Sequence, residues 1–380
     1  MAGHQEPKVI VFSHDADMTL RVLEYTQPLK PNDDGGDKIK STTDFQVDRQ
    51  VLINTSDSEF FRALLTSNAW AESGKSLVTL KEHNPASVEA ILCSVYSKDQ
   101  TWKSSSIGQH TTARTLQLPA KNLWDVIASN HLFMIPFPEI DAWFSAWYED
   151  NEQKTVDEML LYPCYQFHHA RGFMSATRNL VYDRPFIEEY MNEKHYRFHL
   201  PPRLIRHLRV LLASWLWKPV ANVLRSSCVC KEQTVFEYFR ALTLTGGYPI
   251  DQQGRNSVSG VCRSLGSFDN DFEPTRSRHD CYVCDANWSR VVTDAVISIK
   301  KHFDGLCLDC MDHTQPKFLD EHEDYWNHVS YDKQWDKHCH IKHGQATWYS
   351  SFKEEGLNPA QKQAMRGKAV YDREMVNIPG

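Results

Sequence analysis

Two pairs of cysteines in the second half of the chain have the spacing of a structural zinc site. Cys281 and Cys284 form one C-x2-C pair, Cys307 and Cys310 form another, and 22 residues separate the two pairs. Two residues between thiolates let the backbone turn around an ion, so both sulfurs can lie about 2.3 Å from it and the second pair completes a tetrahedron. The spacing predicts bound Zn²⁺.

Two further pairs raise the number of candidate ligands to eight. Cys228 and Cys230 form a C-x-C pair, and Cys339 and His343 are separated by about one helical turn. Eight ligands suffice for two closed four-coordinate sites, one of four cysteines and the other of three cysteines with a histidine. The histidines at 338 and 340 are alternatives to His343, although position 340 is too close to Cys339 for easy chelation.

The pairs can be divided between two ions in more than one way. The helical segment ANWSRVVTDAVISIKKHF, between the two C-x2-C pairs, can return the chain to its start, which favours these two pairs at one site. In a cross-braced alternative the first and third pairs along the chain share an ion. Eight protein ligands for two ions leave no open position for water, so we predict structural and not catalytic zinc, whose binding is coupled to folding.

A second candidate for chemistry lies near the start of the chain. Asp15 and Asp17, in DADMT after the apolar run VIVF, resemble the D-x-D-x-T nucleophile loop of the haloacid dehalogenase-like phosphatases. There the first carboxylate would attack phosphorus, the second would handle the leaving-group proton, and Mg²⁺ would neutralise charge. The acidic runs FDNDFEP and FLDEHEDYW follow no apolar strand that could complete such a site. We therefore predict that the protein is not an enzyme and keep the phosphatase as an alternative.

Composition and charge limit the function classes. The 380 residues include 41% hydrophobic residues and carry a formal net charge of −7 without a long basic run, so we expect two or three globular domains and no dedicated nucleic-acid binder. The N-terminus lacks the features of a secretory signal, and LRVLLASWLWKPV is short for a membrane span and bracketed by basic residues. We expect an intracellular protein, in the cytoplasm or nucleus, with reduced cysteines. Cys93 is expected in the core, and Cys164 and Cys262 as ordinary thiols.

The first 150 residues predict a small sheet covered by helices. Met18, Leu20 and Val22 alternate with other residues, as in a strand with one apolar face. The later segments predict, in order, a polar loop at 30–44, a strand and turn in FQVDRQVLINTS, a helix in SEFFRALLTSN, a strand in SLVTL, a helix in PASVEAILCSVYS, a Ser/Thr-rich linker at 99–117, and two helices in LPAKNLWDVIASNHLFMI and PEIDAWFSAWYED.

This order of elements, with these residues, resembles a BTB/POZ domain. The resemblance covers residues 12–150 and rests on DADMTLRVLEY, FQVDRQVLINTSDSEFFRALL, WAESGKSLVTLKEHNPASVEAILCSVYS and LWDVIASNHLFMIPFPEIDAWFSAWYE. It implies an α+β fold in which a small sheet is flanked by a helical cluster. It also implies that Asp15 and Asp17 form an acidic turn before the first strand, as in many fungal BTB proteins.

The C-terminal half resembles the region found behind the BTB domain in a group of fungal proteins. Their pattern of C-x-C, C-x2-C, GLCLDC and C-x3-HG followed by TWY falls on Cys228, Cys230, Cys281, Cys284, Cys307, Cys310, Cys339, His343, Gly344 and Thr347 to Tyr349. That family usually continues TWYFSF, whereas this chain has TWYSSF, which leaves the ligand set intact. The predicted organisation is a BTB/POZ domain at 12–150, a helical connecting region at 151–225, a zinc-stabilised, mainly helical region at 226–352 and a polar tail at 353–380.

Resemblance to BTB domains implies protein–protein association. The implied partner is a second copy of the chain or a scaffold such as a cullin in ubiquitin ligation, and a monomeric recruitment module is the alternative to a homodimer. The partner surface is predicted among Phe60, Phe61, Leu64, Val88 and Leu92, although most of these are expected to point inward. A zinc-containing, nucleic-acid-associated transcriptional regulator is the alternative function, but it would need a basic face where DGLCLDCMD is acidic.

Overall fold

The computed structural model divides the chain into two compact units. It describes residues 6–26, 39–66, 75–81, 83–136, 138–155, 157–185, 203–250, 256–272, 287–306 and 308. The first unit ends at Gly172 and the second begins at Phe173. The first contains a small sheet with helices and the described part of the second is helical, so the mixed α+β class predicted from the sequence is confirmed.

A four-stranded sheet opens the first unit. Its strands are β1 (Lys8–Val11), β2 (Met18–Tyr25), β3 (Ile39–Val47) and β4 (Leu77–Lys81), in the spatial order β1-β3-β2-β4. Strand β3 is antiparallel to β2, whereas each outer strand is parallel to its neighbour. Met18, Leu20 and Val22 of β2 are buried, as their alternation predicted. On the other face, the Arg21 guanidinium donates to both carboxylate oxygens of Asp44, at 2.8 Å each.

Helices complete the core of the first unit. They are α1 (Arg49–Thr55), α2 (Glu59–Thr66), α3 (Pro85–Tyr96), α4 (Gln100–Ser104), α5 (Ser106–Leu116), α6 (Leu123–Phe133), α7 (Pro138–Asn151) and α8 (Asp157–Gln166). Helix α3 is buried from Ser87 to Tyr96 and is the central helix of the unit. The ring of Phe12 contacts Phe45 of the sheet and Tyr96 of α3, so an aromatic cluster joins the two layers.

Two predicted loop segments contain regular structure. Strand β3 begins at Ile39, inside the polar loop predicted at 30–44. After Val47, where a turn was predicted, the chain enters α1, because the Asp48 side chain accepts hydrogen bonds from the backbone N–H groups of Gln50 and Val51. An aspartate in this position is a strong helix-start signal, and the sequence interpretation overlooked it.

The prediction of a Ser/Thr-rich linker at 99–117 was wrong, because the segment forms α4 and α5. Its polar side chains cap these helices: Asp99 accepts from the N–H of Thr101, and the Ser105 hydroxyl accepts from the N–H of Gly108. Trp102 anchors the segment, since its ring stacks on Phe12 and its Nε1 donates to the Phe12 carbonyl at 2.7 Å. Polar composition here marks helix caps and exposed helix faces.

Six of the described helices lie wholly or partly in the second unit. They are α9 (Ala170–Asp183), α10 (Arg203–Arg225), α11 (Lys231–Leu244), α12 (Val258–Leu265), α13 (Phe268–Asp271) and α14 (Trp288–Lys300). Helix α10 includes the segment LRVLLASWLWKPV, and its Leu208 and Leu212 are buried. Among the residues that the structure describes, no helix is long and apolar enough to cross a membrane.

Aromatic side chains connect the helices of the second unit. The Tyr238 ring lies 4.5 Å from that of Trp288 and 5.6 Å from that of Phe268, and its hydroxyl donates to the Leu216 carbonyl at 3.0 Å. Tyr182 of α9 similarly donates to the Ile299 carbonyl at the end of α14. Burial raises the pKa of Tyr182 to about 12, so this hydroxyl stays a hydrogen-bond donor at neutral pH.

Candidate functional site

The turn between α10 and α11 brings two predicted zinc ligands together. The sulfurs of Cys228 and Cys230 lie 2.7 Å apart, and the backbone N–H of Cys230 donates to the Cys228 sulfur at 3.3 Å. Two thiolates bound to one tetrahedral zinc lie about 3.8 Å apart, as follows from zinc–sulfur distances of about 2.3 Å. Small side-chain rotations would therefore let this C-x-C pair share an ion, and an N–H donor to sulfur favours the thiolate that zinc needs.

Two neighbouring polar groups hold this turn. The Ser226 hydroxyl accepts from the N–H of Cys228 at 3.5 Å. The Lys231 ammonium donates to the carbonyls of Leu224 and Ser226, at 3.3 and 3.1 Å. Lys231 thereby satisfies carbonyls at the end of α10, which is the position where a cation is favourable. Hydrogen bonds of Ser226 and Lys231 therefore hold the connection between α10 and α11 in which the cysteine pair lies.

The other six predicted ligands lie outside the described residues. They are Cys281, Cys284, Cys307, Cys310, Cys339 and His343. Within the described part of the chain, no group of three or more His, Cys, Asp or Glu side chains has the arrangement of a metal site. The proposed division of the four pairs between two ions therefore stays a prediction.

The three cysteines that were not assigned as ligands are buried. Cys93 lies in α3, where its sulfur is 3.6 Å from the hydroxyls of Thr112 and Thr115 in α5. Burial raises the pKa of Cys93, and it raises that of Cys262 to about 11, so both remain protonated at neutral pH. Cys164 is completely buried in the first unit. Cys93 lies in the core, as the sequence predicted, and Cys164 and Cys262, which were predicted only to be ordinary thiols, are buried as well.

Asp17, the second aspartate of the D-x-D-x-T sequence, contacts a helix start. Its Oδ1 accepts the backbone N–H of Arg49, the first residue of α1, at 2.9 Å, and its Oδ2 lies 3.8 Å from the Arg49 guanidinium. Asp15 is exposed, and its backbone N–H donates to the Ser13 hydroxyl. The turn before β2 thus uses Asp17 to position α1.

Most of the side chains predicted for the partner surface belong to the core. Phe61, Leu64, Val88 and Leu92 are buried, in agreement with the expectation that most of the set points inward. Only Phe60 of α2 is partly exposed. Its ring lies 5.5 Å from that of Phe133, at the end of α6.

Two exposed apolar residues beside Phe133 were missed by the sequence interpretation. Leu132 and Met134 are 50% and 60% exposed. We name these two residues and Phe60, whose ring contacts that of Phe133, the α2–α6 patch. Met134 has a φ of 50° at the C-cap of α6, a left-handed conformation that turns the chain sharply at this point. The apolar run HLFMIPF has the composition of a buried segment. In the structure, two of its apolar residues face solvent.

Other groups hold the α2–α6 patch in place. The Ser58 hydroxyl, at the start of α2, donates to the Phe133 carbonyl, and the His83 ring stacks on the Phe133 ring at 5.2 Å. The buried Asn130 side chain donates to the Ile135 carbonyl at 3.0 Å and closes the chain around the Met134 cap. These contacts hold the end of α6 and the start of α2 together beneath the patch.

Comparison with known proteins identifies one domain within the first unit. Residues 38–126 match the BTB/POZ domain family, and this range extends from the start of β3 into α6. No curated protein matches the chain, and no solved structure matches it either. The match lies within the segment 12–150 that the sequence predicted. It includes Phe60 of the α2–α6 patch and ends before Leu132 and Met134. The chain therefore contains a BTB/POZ domain, a domain whose general role is protein–protein interaction.

Proposed function

We propose that this protein is an adaptor that binds a protein partner through the α2–α6 patch of its BTB/POZ domain. The observation that carries the proposal is the BTB/POZ match at 38–126. The patch adds a place for the contact, because Leu132, Met134 and the partly exposed Phe60 offer apolar side chains at the joined ends of α2 and α6. A partner with an apolar helix face would bury them.

A cullin-type scaffold is the proposed partner. The proposal rests on the resemblance of the domain to BTB proteins that recruit cullins, and on a patch that is small and lies at helix ends, as suits a helical partner. A second copy of the chain is the competing occupant of the BTB domain. The compartment that suits a cullin adaptor is the cytoplasm or nucleus.

Binding of purified cullin-type scaffold to the full-length chain tests this proposal. We expect Met134→Asp and Leu132→Asp each to weaken binding at least tenfold, because a desolvated carboxylate at an apolar contact costs more than 1.4 kcal/mol, the equivalent of about a tenfold change. Leu77→Asp is the matched control, since Leu77 is an exposed leucine on β4 and is not part of the α2–α6 patch. Absence of cullin binding by the parent chain, or equal loss in the control, would reject the assignment.

Light scattering of the same samples tests the competing occupant. An adaptor that recruits its partner as a monomer has the 44.0 kDa mass of one chain before cullin is added. A mass of two chains that reverts to one in Met134→Asp would assign the α2–α6 patch to self-association instead.

We also propose that the second unit is held by two structural zinc ions and takes no part in catalysis. The ligands would be the eight residues of the four pairs. The support for this is that the Cys228 and Cys230 sulfurs lie close together in a turn that Lys231 holds by hydrogen bonds. Zinc bound there would cross-link distant parts of the chain and contribute to folding. The contact of Asp17 with the start of α1 likewise supports a structural use of the D-x-D sequence.

A further inference from the structure

Cys228 and Cys230 differ in exposure from the other cysteines that the structure describes. Both lie in the turn between α10 and α11 and are half-buried, and Val229 between them is 91% exposed. A reagent in solution can therefore reach this turn. The remaining described cysteines are buried in the two units, at positions 93, 164 and 262.

The two sulfurs of the turn are close enough to form a covalent bond after a small movement. They lie 2.7 Å apart. A disulfide has a sulfur–sulfur distance of about 2.05 Å, whereas two thiolates on one tetrahedral zinc ion lie about 3.8 Å apart. The observed separation is closer to that of the disulfide, so oxidation would displace the two sulfurs less than zinc binding would.

Hydrogen bonds hold the backbone of the turn in this arrangement. The N–H of Cys230 donates to the Cys228 sulfur at 3.3 Å, and the N–H of Cys228 donates to the Ser226 hydroxyl at 3.5 Å. The Lys231 ammonium donates to two carbonyls at the end of α10. Because the folded chain already holds the turn, closing a disulfide there costs less backbone entropy than in a free peptide.

We propose that Cys228 and Cys230 form a reversible disulfide by exchange with a small disulfide of the glutathione class. The thiolate of one cysteine attacks a sulfur of the small disulfide, whose S–S bond breaks and releases one thiolate. The thiolate of the other cysteine then attacks the protein sulfur of this mixed disulfide, forms the S–S bond of the turn and releases the second small thiolate. Each cysteine loses one proton and one electron, and the small disulfide takes them up as it becomes two thiols.

This chemistry goes beyond the structural zinc proposed for the same pair and does not depend on it. A sulfur in a disulfide is not the thiolate that zinc requires, so oxidation and zinc binding exclude each other at this turn. Disulfides in intracellular proteins are usually transient ones with catalytic or redox-sensing roles. Oxidation of the turn therefore releases any zinc ion that Cys228 and Cys230 hold.

Digestion by trypsin separates this pair from every other cysteine of the chain. Cleavage after Arg225 and Lys231 yields SSCVCK, which contains Cys228 and Cys230 alone. The full-length chain, zinc-loaded or treated with a chelator, is equilibrated in mixtures of reduced and oxidised glutathione, quenched with acid, denatured, alkylated and digested. We expect oxidising mixtures to remove both alkylation sites and two hydrogen atoms from this peptide, and reducing mixtures to restore them. The buried Cys93 should keep its alkylation site throughout.

A synthetic peptide of residues 226–231 measures what the fold contributes. We expect the equilibrium constant for disulfide formation to be at least about tenfold larger in the chain than in the peptide, because fixing the backbone of one residue is already worth about that factor. Circular dichroism identifies temperatures at which the chain remains helical. A constant that exceeds the peptide value in neither the zinc-loaded nor the chelator-treated chain would overturn the proposal.

Single replacements test the two-step exchange. Cys228→Ser and Cys230→Ser each leave one thiol in the turn, and we expect each variant to retain one glutathione on this peptide instead of losing two hydrogen atoms. Cys262→Ala, which removes a buried thiol of α12, should behave like the parent. A parent peptide that carries glutathione without an internal disulfide would overturn the proposal. So would a disulfide from either cysteine to another position or to a second chain.

Zinc content separates failure of this proposal from failure of the zinc assignment. We expect oxidation of the zinc-loaded chain to release one zinc ion for each Cys228–Cys230 disulfide formed. Disulfide formation with unchanged zinc content would remove this pair from the zinc ligands and leave the disulfide proposal intact. A chain that holds two zinc ions, and forms the disulfide neither with them nor after chelation, would overturn the disulfide proposal and leave the zinc assignment standing.

Discussion

Asp17 accepts the backbone N–H of Arg49 at 2.9 Å and completes the hydrogen bonding at the start of α1. The N-terminal N–H groups of a helix have no intrahelical acceptor. Here Tyr96 accepts from the N–H of Asp48, Asp17 accepts from that of Arg49, and the Asp48 carboxylate accepts from those of Gln50 and Val51. The turn after β1, the central helix α3 and the helix itself therefore all contribute to one cap.

Replacement of Asp17 should destabilise the protein without any catalytic consequence. We expect Asp17→Ala to lower the free energy of unfolding by about 1 kcal/mol, the usual cost of losing a helix cap, and Asp17→Asn to cost less because an amide oxygen can still accept. Asp15→Ala is the control, since the Asp15 interaction shown by the structure uses its backbone N–H. Urea unfolding measures these differences. A Mg²⁺-dependent phosphatase activity abolished by Asp15→Asn would contradict this interpretation.

Trp102 provides a second test of how the first unit is held together. Trp102→Phe retains an aromatic ring for stacking on Phe12 but leaves the Phe12 carbonyl without the indole donor at 2.7 Å. We expect a loss of about 1–3 kcal/mol, the cost of an unsatisfied buried polar group. Ile39→Val, a conservative change at an exposed position of β3, should change stability by less than about 0.5 kcal/mol. Equal effects of the two changes in urea unfolding would show that the Trp102 hydrogen bond contributes nothing specific.

The comparison of α1 and β2 shows which parts of the fold the sequence could predict. The alternation of Met18, Leu20 and Val22 predicts strand β2, because this pattern is local and depends only on which face of the strand is buried. Helix α1 was missed although Asp48 precedes it. Its cap also depends on Asp17, which is 32 residues away, and on Tyr96, which is 48 residues away, and contacts at such separations leave no periodic signal.

The candidate sites also contain one feature that the sequence could predict and one that it could not. The proximity of the Cys228 and Cys230 sulfurs follows from their spacing, so the sequence could predict it. The exposure of Met134 could not be predicted, because it depends on the left-handed C-cap that this residue forms at the end of α6. Several apolar residues in a row indicate a buried segment, and the sequence alone does not show where the chain turns and exposes some of them.

Metal analysis of the purified chain tests the ligand assignment. We expect two zinc ions per chain, and one in Cys230→Ser, because a closed four-coordinate site that loses a thiolate binds zinc much more weakly. Cys262→Ala should retain both ions, since Cys262 is a buried thiol on α12. One zinc in the parent would restrict the assignment to the two C-x2-C pairs, and none would reject it. Removal of zinc by a chelator should lower the melting temperature.

Asp141 of α7 should make the stability of the protein depend on pH. Burial raises the pKa of Asp141 to about 6, and its buried Oδ1 has no hydrogen-bond partner among the residues that the structure describes. Because the pKa in the folded state exceeds that of the unfolded chain, the folded state binds the proton more tightly. This carboxyl therefore reduces stability as the pH rises from about 4 to about 6.

Asp141→Asn removes this ionisation and should stabilise the protein at pH 7.5. We expect a gain of about 1 kcal/mol, less than a full two-unit pKa shift would give, because the side chain is only half buried. The gain should disappear below about pH 4, where the parent carboxyl is also neutral. Asp150→Asn, at the exposed end of the same helix, controls for the loss of one negative charge. Urea unfolding at several pH values provides the measurement, and a gain that is the same at pH 4 and pH 7.5 would show that ionisation of Asp141 is not its cause.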